Sequence, residues 1–465
     1  MAALRRLVVE ATGFGVRGAL LEDDRLIEVL DVDAHGDQIL DRLFLGRVSA
    51  VDRTLNAAFV DIGLAQPALL AAKDARFAKG LRERQPIGKL VREGEYLLVQ
   101  GLREPVEDKG GRVTTDIRLM GFHLLWRPSE VGPETGPARG AEREALRIRG
   151  EQLFPGRAVS LRRHAARVGD DVLRAELARL EARWRQVRAE AEAKRRPGPL
   201  SGGEHPLEVL LRDALTPELA GVAVADPELV ARARALLEGP LAPHGIALER
   251  LDPARSAFEQ TGVAEQLEQA LAREIAIPGG GRLIVEPTSA LVAIDVDGGN
   301  RAALEVDLAA AREIARILRL RNLGGTIVVD FVDLPTRNER VRLEQALAKA
   351  FRDDPAPVQI HPMTATGLVE IGRSRRGRSL DQLLRRACPA CAGSGRVPSL
   401  RARAEALFGV LMREGAARVR AAPDLARYLQ TEAGAVWASF AERTRLLADP
   451  ALAPGEFRTE PLHGG

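Results

Sequence analysis

The sequence predicts a multidomain α/β protein with an all-β barrel inserted towards its N-terminal side. Three observations predict it. At 465 residues the chain exceeds what one hydrophobic core usually organises. Short β-rich runs at close spacing fill the region from Arg42 to about residue 120. Further on, apolar runs that end in aspartates flank a long amphipathic segment, the pattern of a strand-helix-strand unit.

Charge says little by itself. The chain carries 68 Lys+Arg against 65 Asp+Glu, a net charge of +3, so a surface for a polyanion must arise from local segregation. The N-terminal MAALRRLVVEATGFG lacks the apolar core of a signal peptide, and no stretch approaches the length that crosses a bilayer. The expectation is a cytoplasmic protein without membrane insertion.

Taken in order, RRLVVEA, VRGALLE and RLIEVLDV read as a small antiparallel sheet broken by Gly or acidic turns. LFLGRVSAVD, NAAFVDIG, ALLAA, EYLLVQGLR and VTTDIRL then read as the strands of a small barrel of the oligonucleotide-binding type. The Pro/Gly-rich stretch at 127–140 leads to an Arg-rich segment and a long helix through DDVLRAELARLEARWRQVRAEAEAKRR. RPGPLSGGEHP ends that helix, and the mixed segment to about residue 276 has no assignable place. After PGGG come strands RLIVEP and ALVAIDVD, helix EVDLAAAREIARILRLRN and strand TIVVDFVDL. The last two strands are predicted to be parallel neighbours joined by a crossover. A helix at 337–352, strand PVQIHP and the segment GLVEIGRSRRGRSL complete this domain.

The chemistry concentrates in two places. Asp295 and Asp297 share one face of their strand, and Asp330 ends the next strand, with Asp333 just beyond it. These acids therefore emerge at the carboxyl edge of a parallel sheet, where ligands bind in open α/β domains. Neighbouring carboxylates repel unless a cation lies between them, and all-oxygen ligands suit Mg²⁺ or Mn²⁺. The alternative is that the acids form turns and helix caps. The second place is Cys388-Pro-Ala-Cys391-Ala-Gly-Ser-Gly395, a zinc-knuckle spacing that supplies half of a tetrahedral site. With no second Cys pair in the chain, the same knuckle from another copy completes the Zn²⁺ site and makes a two-fold dimer. A redox dithiol, or a single site completed by His361, are the alternatives. Three further candidates carry weaker signals. Phe59 is either a stacking platform or barrel core, Lys109 is either a phosphate contact or a solvated turn, and Arg162, Arg163 and His164 form a cationic cluster ahead of a helix start at Asp170 or Asp171.

In this order, GRVSAVDRTLNAAFVDIG, KGGRVTTDIRL, ALVAIDVD, REIARILRLRNLGGTIVVDFVDL, GLVEIGRSR and CPACAGSG resemble the catalytic half of the ribonuclease E/G family over nearly the whole chain. The resemblance implies a ribonuclease-H-like domain split between 1–36 and 206–277, an S1 barrel at 37–125 and a 5′-end sensor at 126–205. It further implies a DNase-I-like catalytic domain at 278–386, a zinc link at 387–397 and a small C-terminal domain at 398–465. By position, Asp295 and Asp330 look like the catalytic metal-binding pair, with Asp297 a further Mg²⁺ candidate. Phe59, Lys109 and Arg163 look like RNA contacts, the last in the 5′-phosphate sensor. Cys388 and Cys391 look like the zinc link of a homodimer that can extend to a tetramer. The implied reaction is Mg²⁺-dependent cleavage within single-stranded RNA, in ribosomal and transfer RNA precursors and messengers, leaving 5′-phosphate and 3′-hydroxyl ends.

The chain departs from the family pattern at several points. Asp297 stands where IDxN has Asn, and GGNRAALEVDL replaces a longer linker after the strand of Asp295. His164 stands where the sensor has Thr, and Leu69 where a second barrel aromatic is expected. Two competing readings are therefore kept: a catalytically weakened RNA-binding member of the family, and a nuclease acting on DNA.

Overall fold

In the computed structural model, residues 4–33, 38–80, 85–105, 110–131, 141–200, 204–243, 245–375, 377–386, 388–391, 393, 395–414 and 417–461 are described. Strands Arg5–Ala11, Gly15–Glu22 and Arg25–Asp33 form the antiparallel meander that the sequence predicts. Its second hairpin is tight because Asp23 and Asp24 both adopt positive φ, the conformation a two-residue turn demands. The meander does not stand alone. Strand Leu219–Val224 runs parallel to Arg5–Ala11, and Ala247–Arg250 runs parallel to that, giving one mixed five-stranded sheet. Two strands of the segment with no assignable place in the sequence thus belong to the first sheet. Helix Pro206–Ala214 packs Leu207, Leu210 and Leu211 against Leu7, Val9, Leu20 and Val222.

Between the two parts of that sheet lies a closed five-stranded barrel. Strands Leu43–Asp52, Ala57–Asp61, Ala68–Ala71, Arg112–Thr114 and Tyr96–Arg103 follow one another around it, and the first pairs with the last. Phe44, Val48, Ala58, Val60, Leu70, Val99 and Val113 fill its interior. Closure brings backbones so near that a Cβ on Gly101 would lie 1.6 Å from the Ile39 carbonyl oxygen, and one on Gly110 would lie 2.1 Å from that of Pro67. One predicted strand is corrected. VTTDIRL does not run through, because Asp116 is buried and its N–H turns back to the Thr114 hydroxyl. Leu119–Met120 instead joins Leu124–Val131 and Arg157–Leu161 in a separate three-stranded sheet. The long helix Asp170–Ala193 latches to this sheet through Glu176, whose buried carboxyl accepts the N–H groups of Phe122, His123 and Leu124.

The strand-helix-strand unit lies in a six-stranded sheet. Its order is Glu274–Ala276, Arg282–Pro287, Val292–Asp297, Gly325–Asp330, Leu368–Arg373 and Val358–Ile360. Only the two central strands are parallel to each other. Helix Ala303–Leu320 joins them; it has an apolar face of Val306, Ile314, Ile317 and Leu318 and packs on helix Arg337–Ala350. Its other side meets the edge strand Arg25–Asp33. There Arg25 pairs with Glu313 at 2.8 Å, Arg319 pairs with Glu28 at 2.6 Å, and Arg316 donates to the Leu26 carbonyl. Arg373, the last residue of its strand, makes a buried two-point pair with Asp354 and donates to the Leu323 carbonyl.

All of this belongs to one compact unit, Met1–Leu383; Leu384–Gly465 is a second. In the second unit, helices Leu400–Glu414, Pro423–Gln430 and Gly434–Ala441 accompany a three-stranded sheet of Thr444–Ala448, Ala417–Ala421 and Phe457–Pro461. Phe408 stacks on Phe440 in its core, with ring centroids 5.2 Å apart. Among the described residues no helix is long and apolar enough to cross a membrane.

Candidate active site and nucleic-acid interface

Strict alternation in the two parallel strands sorts their residues. Ile294 and Val296 in one, and Ile327 and Val329 in the other, turn into the core, leaving Asp295 and Asp330 on the opposite, exposed face. The register pairs Asp295 directly with Asp330, at a strand spacing of about 4.8 Å. Ile284 and Leu368 extend this row on either side. Among the described residues, neither aspartate has a side-chain hydrogen bond or an ion pair. The exposed Glu370 lies on the strand next to Asp330, opposite Val328. It was not singled out from the sequence, although it stands inside the GLVEIGRSR segment.

Asp297 differs from this pair. Its Oδ1 accepts the Gly299 N–H at 3.1 Å, and its Oδ2 lies 2.9 Å from Arg282, which also pairs with Glu274. The Gly299 N–H first, and Arg282 second, hold its carboxyl below the usual range. Both of its oxygens are thus engaged within the chain. Among the described residues no three His, Cys, Asp or Glu side chains are grouped to hold a metal. Two unpaired carboxylates side by side still suit Mg²⁺, which binds through one or two carboxylates and otherwise through water and phosphate.

On the barrel, Phe59 alternates with the buried Ala58 and Val60, and so is kept out of the core. It pairs in register with Leu69, and Leu69 with Arg112, which makes a row across the outer surface. Near its rim the exposed Tyr96 lies 6.0 Å from the Arg47 guanidinium, a cation–π contact that the sequence pattern did not single out. Lys109 lies outside the described residues.

The Arg162–His164 cluster divides by role. Arg162 is spent inside the fold, donating to the carbonyls of Gly121 and Arg212. His164 is buried, and burial, followed by the neighbouring His123, lowers its pKa to about 4. Burial thus favours its neutral form and keeps it off the surface. Arg163 remains half exposed, with Glu142 3.9 Å away. The helix that follows does begin at Asp170.

In the second unit both cysteines are free thiols. Positive φ at Gly393 and Gly395 turns the chain back so that their N–H groups point at Cys391. Those N–H groups, and a bond with Cys388, hold the Cys391 thiol below its usual range. These contacts favour the thiolate form of Cys391.

The model of the ribonuclease E/G family matches residues 138–376, the span that includes both aspartates. Ribonuclease G of Escherichia coli (strain K12) is 30% identical over 485 residues, covering 98% of this chain and 97% of that protein. Ribonuclease E of Synechocystis sp. is 29% identical over 385 residues, covering 79% of this chain and 57% of that protein. For ribonuclease E of E. coli the figures are 30%, 85% and 39%. This chain belongs to the ribonuclease E/G family, whose members are endoribonucleases.

Proposed function

We propose that the chain is an endoribonuclease that cuts within single-stranded RNA, with Asp295 and Asp330 as its catalytic pair. The observation that carries this reading is the register of these two aspartates, paired on the exposed face of the sheet in a chain of this family. The two carboxylates would hold Mg²⁺ or Mn²⁺. When bound, such an ion activates water and neutralises charge on the scissile phosphate, which yields 5′-phosphate and 3′-hydroxyl ends. The chain's own part is to present both carboxylates at fixed spacing. Arg282, by pairing with Asp297, offsets part of that third acid's charge.

Phe59, with Tyr96 and Arg112, offers stacking and phosphate contacts that favour flexible single strands over duplex. In this reading the barrel is of the S1 type, and the first five-stranded sheet, in the order 247–250, 219–224, 5–11, 15–22, 25–33, is the ribonuclease-H-like domain. The six-stranded sheet is the DNase-I-like domain, and Arg163 and Lys109 contact RNA. Cys388 and Cys391 form half of a shared Zn²⁺ site in a homodimer, with a tetramer as its extension. Ribosomal and transfer RNA precursors and messengers are the substrates to try first.

The test is incubation of a 5′-monophosphorylated, A/U-containing single-stranded RNA with the protein in Mg²⁺ or EDTA, beside Asp295→Asn and Asp330→Asn. Internal cuts that require the metal and both aspartates support the proposal. Binding without cutting supports the weakened RNA-binding alternative, and preference for a DNA strand of the same sequence supports the DNA nuclease.

A further inference from the structure

Asp307 is a buried acid that the proposed reaction does not use. It lies about one turn into helix Ala303–Leu320 with no exposed surface. One carboxyl oxygen accepts the Val332 N–H at 3.2 Å; the other is also buried, and no group among the described residues bonds it. Burial raises this carboxyl to about 7, opposed by the Val332 N–H. Burying a carboxyl for one hydrogen bond is costly, so its place in the fold requires an explanation.

That place is where the exits of the two aspartate strands converge. Asp330 is the last residue in register with both neighbours, Asp295 on one side and Leu368 on the other. Past it the sheet no longer guides the chain, and Val332, two residues on, is held by Asp307 instead. The other strand leaves through Gly298, where a Cβ would lie 3.2 Å from a Val332 methyl and 3.7 Å from Val306, the residue before Asp307. Both exits therefore rest on the same turn of one helix.

Resting on the metal-site reading above, we propose that Asp307 is a positioning residue: by clasping the Val332 N–H, it fixes the path of the chain leaving Asp330 and hence the aim of the Asp330 carboxylate beside Asp295. The clasp needs an acceptor of this length, not a charge.

The test compares full-length Asp307→Asn, Asp307→Ala and Asp330→Asn with the wild type by three readouts. These are amide hydrogen exchange over residues 328–336 without metal, Mn²⁺ binding by electron paramagnetic resonance, and kcat and KM on single-stranded RNA. Asp307→Ala is expected to speed exchange at Val332 and to weaken both Mn²⁺ binding and kcat on the order of tenfold, with KM for RNA within about twofold. Asp307→Asn, which keeps the acceptor, stays within about twofold of wild type in all three. Faster exchange with unchanged Mn²⁺ affinity and kcat would overturn the proposal, as would unchanged exchange, or an Asn variant as impaired as Ala. Should the Ala variant not fold, Asp307→Ser, whose oxygen is too short to keep the clasp, takes its place under the same criteria. Mn²⁺ binding by Asp330→Asn equal to wild type would instead mark failure of the metal-site reading itself.

Discussion

Asp295 and Asp330 sit one strand spacing apart because two six-residue strands alternate in step. Replacing either with Asn keeps the shape and removes a charge, so cleavage is expected to fall about 10²–10³-fold with RNA binding retained, measured by single-turnover cutting and filter binding. Two buried titratable groups set opposite limits on stability. Asp307 has a folded pKa raised from its ordinary 3.8 to about 7. The folded state thus binds the extra proton between these values, and stability falls as pH rises from about 4 to 7. His164 has a folded pKa lowered to about 4, so the unfolded state binds the proton and stability falls as pH drops from about 6.5 to 4. The two slopes oppose each other over the same window, so melting temperatures measured across it are expected to rise more steeply with pH in Asp307→Asn and to fall with pH in His164→Phe. At about 1.4 kcal/mol per pKa unit these shifts correspond to at most about 4 kcal/mol for Asp307 and about 3 kcal/mol for His164. Neither environment was legible in the sequence. Asp307 reads there as one more polar position on an amphipathic helix, and His164 as part of a basic cluster, because burial is decided by elements far along the chain.

Among the elements, the central strands were legible because their signal is local: an apolar residue at every second position, closed by an acid. The first sheet was legible only in part. Its meander is joined by short turns, but the strand that completes it pairs Val8 with Ala223, a partner no local pattern announces. VTTDIRL looked continuous because Thr and Val both favour strands, while the buried Asp116, held by Arg118 and Arg127, ends the ladder through tertiary contacts. Glu176 illustrates the same point from a helix. It reads as a solvated acid in a charged segment, yet it serves three N–H groups of a neighbouring sheet. Glu176→Ala is expected to leave all three unpaired and to cost about 3 kcal/mol or more, read as a lower denaturant midpoint, whereas Glu176→Gln keeps much of the clasp.

At the scale of the molecule, the cysteine spacing reads as half a metal site, and a Cys391 thiol held below its usual range by the Gly395 and Gly393 N–H groups suits a zinc ligand. The expected outcome is zinc near one half per chain, with Cys388→Ser losing both the zinc and the dimer in sedimentation. A serine variant that stays dimeric with its usual zinc would count against the shared site. The mixed first sheet bears on synthesis as well. Strand Arg5–Ala11 leaves the ribosome early, but its partner Leu219–Val224 follows more than two hundred residues later. At about 5–20 residues per second, the edge that carries Val8 and Val9 stays open for roughly 10–40 s, while the barrel can already close. During translation, that unsatisfied edge is where a nascent chain of this protein is most exposed to pairing with a wrong strand, its own or a neighbour's.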